Sequence, residues 1–134
     1  MPLRPPLGSH QIGVLVVEDE PAVRMDLLEA LSAAGLQTFE SSDATEAVAI
    51  LAARDDIRVV IADVVMPGSP MNGYQLARLV AVRWPHIAIL LVSGVSTPGH
   101  GDLPSGVRFV PKPYRSPDLV NQVFAFVEQG NGAL

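Results

Sequence analysis

Short strand-like runs rich in Val and Ile alternate with stretches of helical period, and this alternation constrains the chain more than any other feature. Ile12 to Val17 is apolar but for Gly13 and lies before an acidic cluster. A run without polar alternation is a strand buried on both faces. Leu36 to Glu40, Ile57 to Ala62, Ile87 to Val92 and Val107 to Val110 read as four further strands. Between them the apolar spacing lengthens. Val23, Leu27 and Leu31 follow at i, i+4 and i+8 behind Pro21, with Ala30 and Ala34 beside them and Gly35 as a stop. Asp43 with Glu46 resembles a capping box ahead of Ala47, Val48 and Leu51. Leu76, Leu79 and Val80 mark a third helix that Trp84-Pro85 ends. Ser116-Pro117 opens a last one, with Leu119, Val120, Val123, Phe124 and Val127 as its apolar stripe.

Strands alternating with helices predict an α/β fold, a single doubly wound five-stranded parallel sheet covered on both faces. The 134 residues, 49% of them hydrophobic and 17% charged, suit one domain with its own core. We place that domain at residues 12–130. Met1 to Gln11 carries three prolines and no apolar core segment. It reads as a disordered arm or a cloning remnant, not a signal peptide. No stretch reaches the ~18 apolar residues of a membrane span, so a cytoplasmic protein without membrane association is expected. The net charge of −5, with scattered cations, argues against direct nucleic-acid binding. With no cysteine, disulfides and Cys-based metal sites are excluded.

In such sheets ligands bind beyond the carboxyl ends of the strands. Glu18, Asp19 and Glu20 follow the first run, Asp63 the third, Ser93 the fourth and Lys112 the fifth. Clustered carboxylates either protonate or find a cation. An all-oxygen donor set suits a hard ion, with Mg²⁺ the natural candidate because it often bridges to phosphate. Mg²⁺ and Lys112 would offset the charge of a phosphoryl group on a carboxylate, and the Ser93 hydroxyl would donate to one of its oxygens. Taken singly, each residue has a plainer explanation: helix-dipole charge, a turn, a solvated cation. Lys112 is the only lysine in the chain, set between Pro111 and Pro113 directly after a strand. Lysine is a compact point charge that can meet a phosphate.

These segments resemble the receiver domains of two-component response regulators. VLVVEDEP (Val14 to Pro21) looks like the family's first strand and acidic pair, and VVIADVVMPG (Val59 to Gly68) like its phosphoacceptor segment. ILLVSG (Ile89 to Gly94) carries the switch hydroxyl, and FVPKPY (Phe109 to Tyr114) the Lys-Pro signature. The resemblance spans roughly residues 12 to 128 and implies a flavodoxin-like fold. It implies Asp63 as phosphoacceptor and Mg²⁺ held by Asp19, Asp63 and the Val65 carbonyl, with Glu18 acting directly or through a water. It further implies Lys112 and Ser93 on the phosphoryl group, Phe109 as the aromatic switch, and a cis Lys112-Pro113 bond, which the residue type permits. The implied function is a phosphorylation-dependent switch, not an enzyme, of the stand-alone single-domain type. A histidine kinase or phosphotransfer protein would be the donor, an unknown protein the target, and the chain a monomer or weak dimer.

Two segments depart from the family pattern. Ser69-Pro70 is a two-residue insertion between Met66-Pro67-Gly68 and Met71-Asn72-Gly73. Between Ser93 and Lys112, Pro98, Gly99, Gly101, Pro104 and Gly106 oppose a regular helix, so a short, irregular or mobile fourth helix is expected. Val65 and Val95, each two residues beyond a site residue, offer no hydrogen bond to a hydrolytic water, which predicts slow self-dephosphorylation. The alternative is a phosphorylation-independent protein-binding module on the same fold. A Mg²⁺-dependent phosphohydrolase would need an acid where Val65 stands. A dinucleotide fold would need a G-x-G-x-x-G, and none follows the first run.

Overall fold

The computed structural model describes residues 12–94, 103, 104 and 106–132. Strands β1 (Gly13–Val17), β2 (Gln37–Ser41), β3 (Ile57–Asp63), β4 (Ala88–Ser93) and β5 (Val107–Pro111) form one parallel sheet in the order β2-β1-β3-β4-β5. Among the described residues the helices are α1 (Pro21–Ala33), α2 (Ala44–Ala53), α3 (Gly73–Arg83) and α4 (Ser116–Gly132). The irregular helix expected between Ser93 and Lys112 falls largely on 95–102 and 105, and the arm on 1–11, all outside the described residues.

Side chains alternate across a strand, and here both faces are covered. Leu15, Val17, Val60, Ala62, Ile89 and Leu91 pack with Ala47 and Leu51 of α2 and Leu76 and Val80 of α3. Val14, Val16, Val59, Ile61, Leu90 and Val92 pack with Leu27 and Leu31 of α1 and Leu119 and Val123 of α4. This is why the central runs lack polar alternation: neither face meets water. Val23, Val48, Leu79 and Phe124 belong to the expected stripes but lie at their edges, half-buried.

Local signals set the helix ends. Pro21 opens α1, whose N-cap Glu20 contributes no side-chain cap. Gly35, at φ +91°, closes it, with Leu36 N–H on the Leu31 carbonyl (3.2 Å) and Gly35 N–H on that of Ser32 (3.0 Å). That double bond is a Schellman motif, and it makes Leu36 part of the helix stop rather than of β2. Asp43 accepts from Glu46 N–H at 2.8 Å, but the Glu46 carboxylate accepts from Ser42 N–H (2.9 Å) and not from the cap's own amide. The expected box is therefore half made. A complete one stands at Asn72 and Gln75, both bonds 2.9 Å, and starts α3.

Candidate functional site

The chain reverses direction across the sheet at β1 and β3, whose connections leave on opposite sides. A crevice opens beyond the carboxyl ends of the strands at such a point. The register sets which residues meet there. Val17 pairs with Ala62, so Glu18 lies level with Asp63. Asp63 pairs with Val92, putting Ser93 one residue further on, and Ser93 pairs with Pro111, directly before Lys112. Glu18, Asp19, Asp63, Val65, Ser93 and Lys112 accordingly line one cleft of ≈ 420 Å³.

Glu18, Asp63 and Ser93 are buried, whereas Asp19 is half-buried. Each of the three carboxylates offers one oxygen within 4.8 Å of the others. Lys112 Nζ donates to Asp63 Oδ2 at 2.8 Å and stands 3.7 Å from Glu18 Oε1. The second Asp63 oxygen accepts from Val65 N–H at 3.2 Å. Glu18 Oε2 accepts from Glu20 N–H at 3.0 Å. The sole lysine is thus an internal counter-charge, not a solvated surface group. Burial opposes its charge, but the bond to Asp63 and the nearby Glu18 outweigh burial and raise its pKa.

Glu18 carries the electrostatic tension of the site. Burial pushes its carboxyl up to about 7, the Asp63 charge adds to this, and Glu20 N–H and Lys112 oppose it. Three carboxylates and one ammonium leave excess negative charge in a partly desolvated cleft. The chemistry of the set fits a hard divalent cation: three carboxylate oxygens, no nitrogen or sulfur ligand, and room for water.

Two glycines allow the close packing. A Cβ at Gly73 would stand 2.5 Å from the Asp63 carbonyl oxygen, so only glycine lets α3 start against the end of β3. At Gly94 a Cβ would stand 3.3 Å from Lys112 Cβ. The Lys112-Pro113 bond is cis, as the resemblance implied. Phe109 is half-buried against the core on the α2–α3 face.

Two participants escape the sequence reading. Arg24 Nη1 donates to the Glu18 carbonyl at 2.7 Å, and its Nε to Glu40 Oε1 at 2.8 Å. Its visible signal was an isolated cation one turn into a helix that follows an acidic elbow. Ser69, in the inserted pair, accepts from Ala44 N–H at 3.1 Å and so ties the loop after β3 to the start of α2. Nothing local in the sequence announces a contact across 25 residues.

The sequence matches the family model for the response regulator receiver domain over residues 14–124. It is 34% identical over 125 residues to the sensor kinase CckA of Brucella abortus, covering 90% of this chain and 13% of that protein. It is 41% identical over 80 residues to the response regulator protein FleR of Pseudomonas aeruginosa, 60% of this chain and 16% of that one. The chain therefore spans under a fifth of these relatives. In fold it is similar to a response regulator receiver protein from Sinorhizobium medicae, with a TM-score of 0.82 at 22% identity over 89% of this chain and 96% of the other. Sheet order, crevice and sequence match agree, and this chain belongs to the family of response regulator receiver domains.

Proposed function

We propose that residues 12–130 form a phosphorylation-dependent signalling switch that accepts a phosphoryl group on Asp63 from a histidine kinase or phosphotransfer protein. The observation that carries this reading is the pairing of Asp63 with Lys112 at 2.8 Å inside a cluster of three carboxylates. A nucleophile must approach a phosphorus that already bears negative oxygens. Ion pairing and a divalent cation remove that repulsion.

Asp19, Asp63 and the Val65 carbonyl, with Glu18 directly or through a water, would hold Mg²⁺. The ion supplies neutralisation of charge on the transferring group. An Asp63 carboxylate oxygen attacks the phosphorus of a phosphohistidine. The O–P bond forms, the N–P bond breaks, and the imidazole leaves with the electron pair. Lys112, freed from its bond to Asp63, contacts a phosphoryl oxygen, and Ser93 donates to another. Phe109 follows Ser93, so that one surface passes between two arrangements. A second cleft of ≈ 630 Å³ lies beside Lys112, with Ala22 and Val23 of α1 and Pro113 and Tyr114 among its walls. The inserted Ser69-Pro70 pair follows Pro67 of the cleft wall by two residues and contributes to the choice of kinase. The switch acts in the cytoplasm, as a monomer or weak dimer, on a protein target and not directly on nucleic acid. Among the described residues no helix is long and apolar enough to cross a membrane.

The test is incubation with acetyl phosphate and Mg²⁺, read by intact mass. Wild type gains one phosphoryl group and Asp63→Asn does not. Beryllofluoride shifts the amides of Ser93 and Phe109 in wild type alone. A wild type that binds Mg²⁺ yet responds to neither reagent contradicts the switch and favours a phosphorylation-independent binding module.

A further inference from the structure

We infer that Arg24 is a positioning residue for the metal-binding elbow at the end of β1. The inference rests on the proposed Mg²⁺ site and concerns how its first two acids are held.

The elbow Glu18-Asp19-Glu20 must aim like charges at one point. Its helix gives little help, since Glu20 provides no side-chain cap and the first turn of α1 contains no acid. Each end of the Glu18 residue is instead tied separately. Its N–H donates to the Ser41 carbonyl at 3.0 Å, and its carbonyl accepts from Arg24 Nη1 at 2.7 Å. That carbonyl shares a rigid peptide plane with the Asp19 nitrogen, so fixing it fixes where the Asp19 side chain starts. Arg24 lies one turn into α1, its own N–H on the Glu20 carbonyl at 2.9 Å. Helical side chains lean toward the N-terminus, which returns the guanidinium to the elbow. Its Nε is held by Glu40 at 2.8 Å, and the Arg24 side chain is 17% exposed against 56% for Glu40. The planar fork thus spans two acceptors, one on the elbow and one at the end of β2, a geometry a lysine ammonium does not reproduce.

Charge and positioning make opposite predictions here. As a mere charge, Arg24 repels Mg²⁺, and its removal tightens binding. As a positioning residue, its removal loosens Asp19 and Glu18 and weakens binding. The experiment is a Mg²⁺ titration of the full chain without any phosphodonor, followed by the Asp19 and Glu20 amide signals. Phosphorylation by acetyl phosphate is then measured against Mg²⁺ concentration. Arg24→Ala and Arg24→Lys are both expected to raise the Mg²⁺ dissociation constant about tenfold, the scale seen when a group behind a metal ligand is lost. Half-maximal phosphorylation rate then requires correspondingly more Mg²⁺ in both variants. Affinity unchanged or improved in Arg24→Ala overturns the inference, as does full affinity in Arg24→Lys. Arg24→Lys keeps the helix and a cation, and carries the test alone where the alanine variant does not fold. A wild type that binds Mg²⁺ but gains no phosphoryl group contradicts the switch while leaving Arg24 in its role.

Discussion

Glu18 shows how one buried carboxyl links protonation and stability. Its carboxyl ordinarily titrates at 4.5 and is pushed up to about 7 in the fold, first by burial and then by Asp63. The folded state therefore holds this proton more tightly than the unfolded chain. The group's contribution to stability is complete below pH 4.5 and is lost as pH rises through about 7. Metal-free protein should lose stability across that window in urea titrations at stepped pH, and Glu18→Gln should flatten the loss. At the proposed site Mg²⁺ would displace the same proton, so its affinity should climb as pH rises through about 7. Calorimetric titrations in buffers of different ionisation heat would show proton release below that pH. At Val65, 44% exposed beside Asp63, an apolar side chain offers no partner to an attacking water. Val65→Asn is expected to shorten the lifetime of the phosphorylated protein, followed by mass after the phosphodonor is removed. Val95, the second valine of that argument, lies outside the described residues.

At the scale of elements, the contacts that shape the site are helix starts. Ser69 supplies the N-terminus of α2 with an acceptor from the loop after β3. Ser69→Ala removes it and should cost about 1 kcal/mol, as for lost helix caps, in chemical denaturation. Ser69→Thr keeps the hydroxyl and should retain most of it. Gly73 opens α3 against the Asp63 carbonyl. Gly73→Ala forces a Cβ into that oxygen and should cost about 1–3 kcal/mol, the range for overpacked interiors. Because the displaced backbone carries Asp63, the proposed phosphoacceptor, phosphorylation by acetyl phosphate should slow as well. A Gly73→Ala variant of wild-type stability and rate would show that β3 and α3 can separate freely.

The whole molecule is a sheet whose two faces are sealed by separate pairs of helices, leaving the carboxyl ends of the strands for chemistry. Such a scaffold holds the acids at a spacing set by strand register, at the carboxyl ends where α/β sheets place their ligands. Leu15 and Leu31 are fully buried, each on a different face. Replacing either by alanine should cost about 2–5 kcal/mol. Both variants should unfold in a single transition, because the strands between the faces are shared. Mg²⁺ should raise the melting temperature of wild type by mass action, and more so above pH 7, where the Glu18 carboxyl is already ionised.

Periodicity and punctuation alone placed five strands, the flanking helices and the residues after each strand, because burial on both faces forces continuous apolar runs and Gly35 and Pro85 force stops. The resemblance supplied roles for Asp63, Asp19, Lys112 and Ser93 from short motifs whose order is specific. What no linear pattern contained was the depth of the site. The pairing of Lys112 with Asp63 crosses 49 residues, Ser69 reaches Ala44 across 25, and the Arg24 fork joins the elbow to β2. Half-made and complete capping boxes at Asp43 and Asn72 were likewise decided by which amides lay within reach. Propensity and burial act along the chain and are written in it, whereas hydrogen bonds and charge coupling act through space. They exist only once strand register has set distances of a few ångströms.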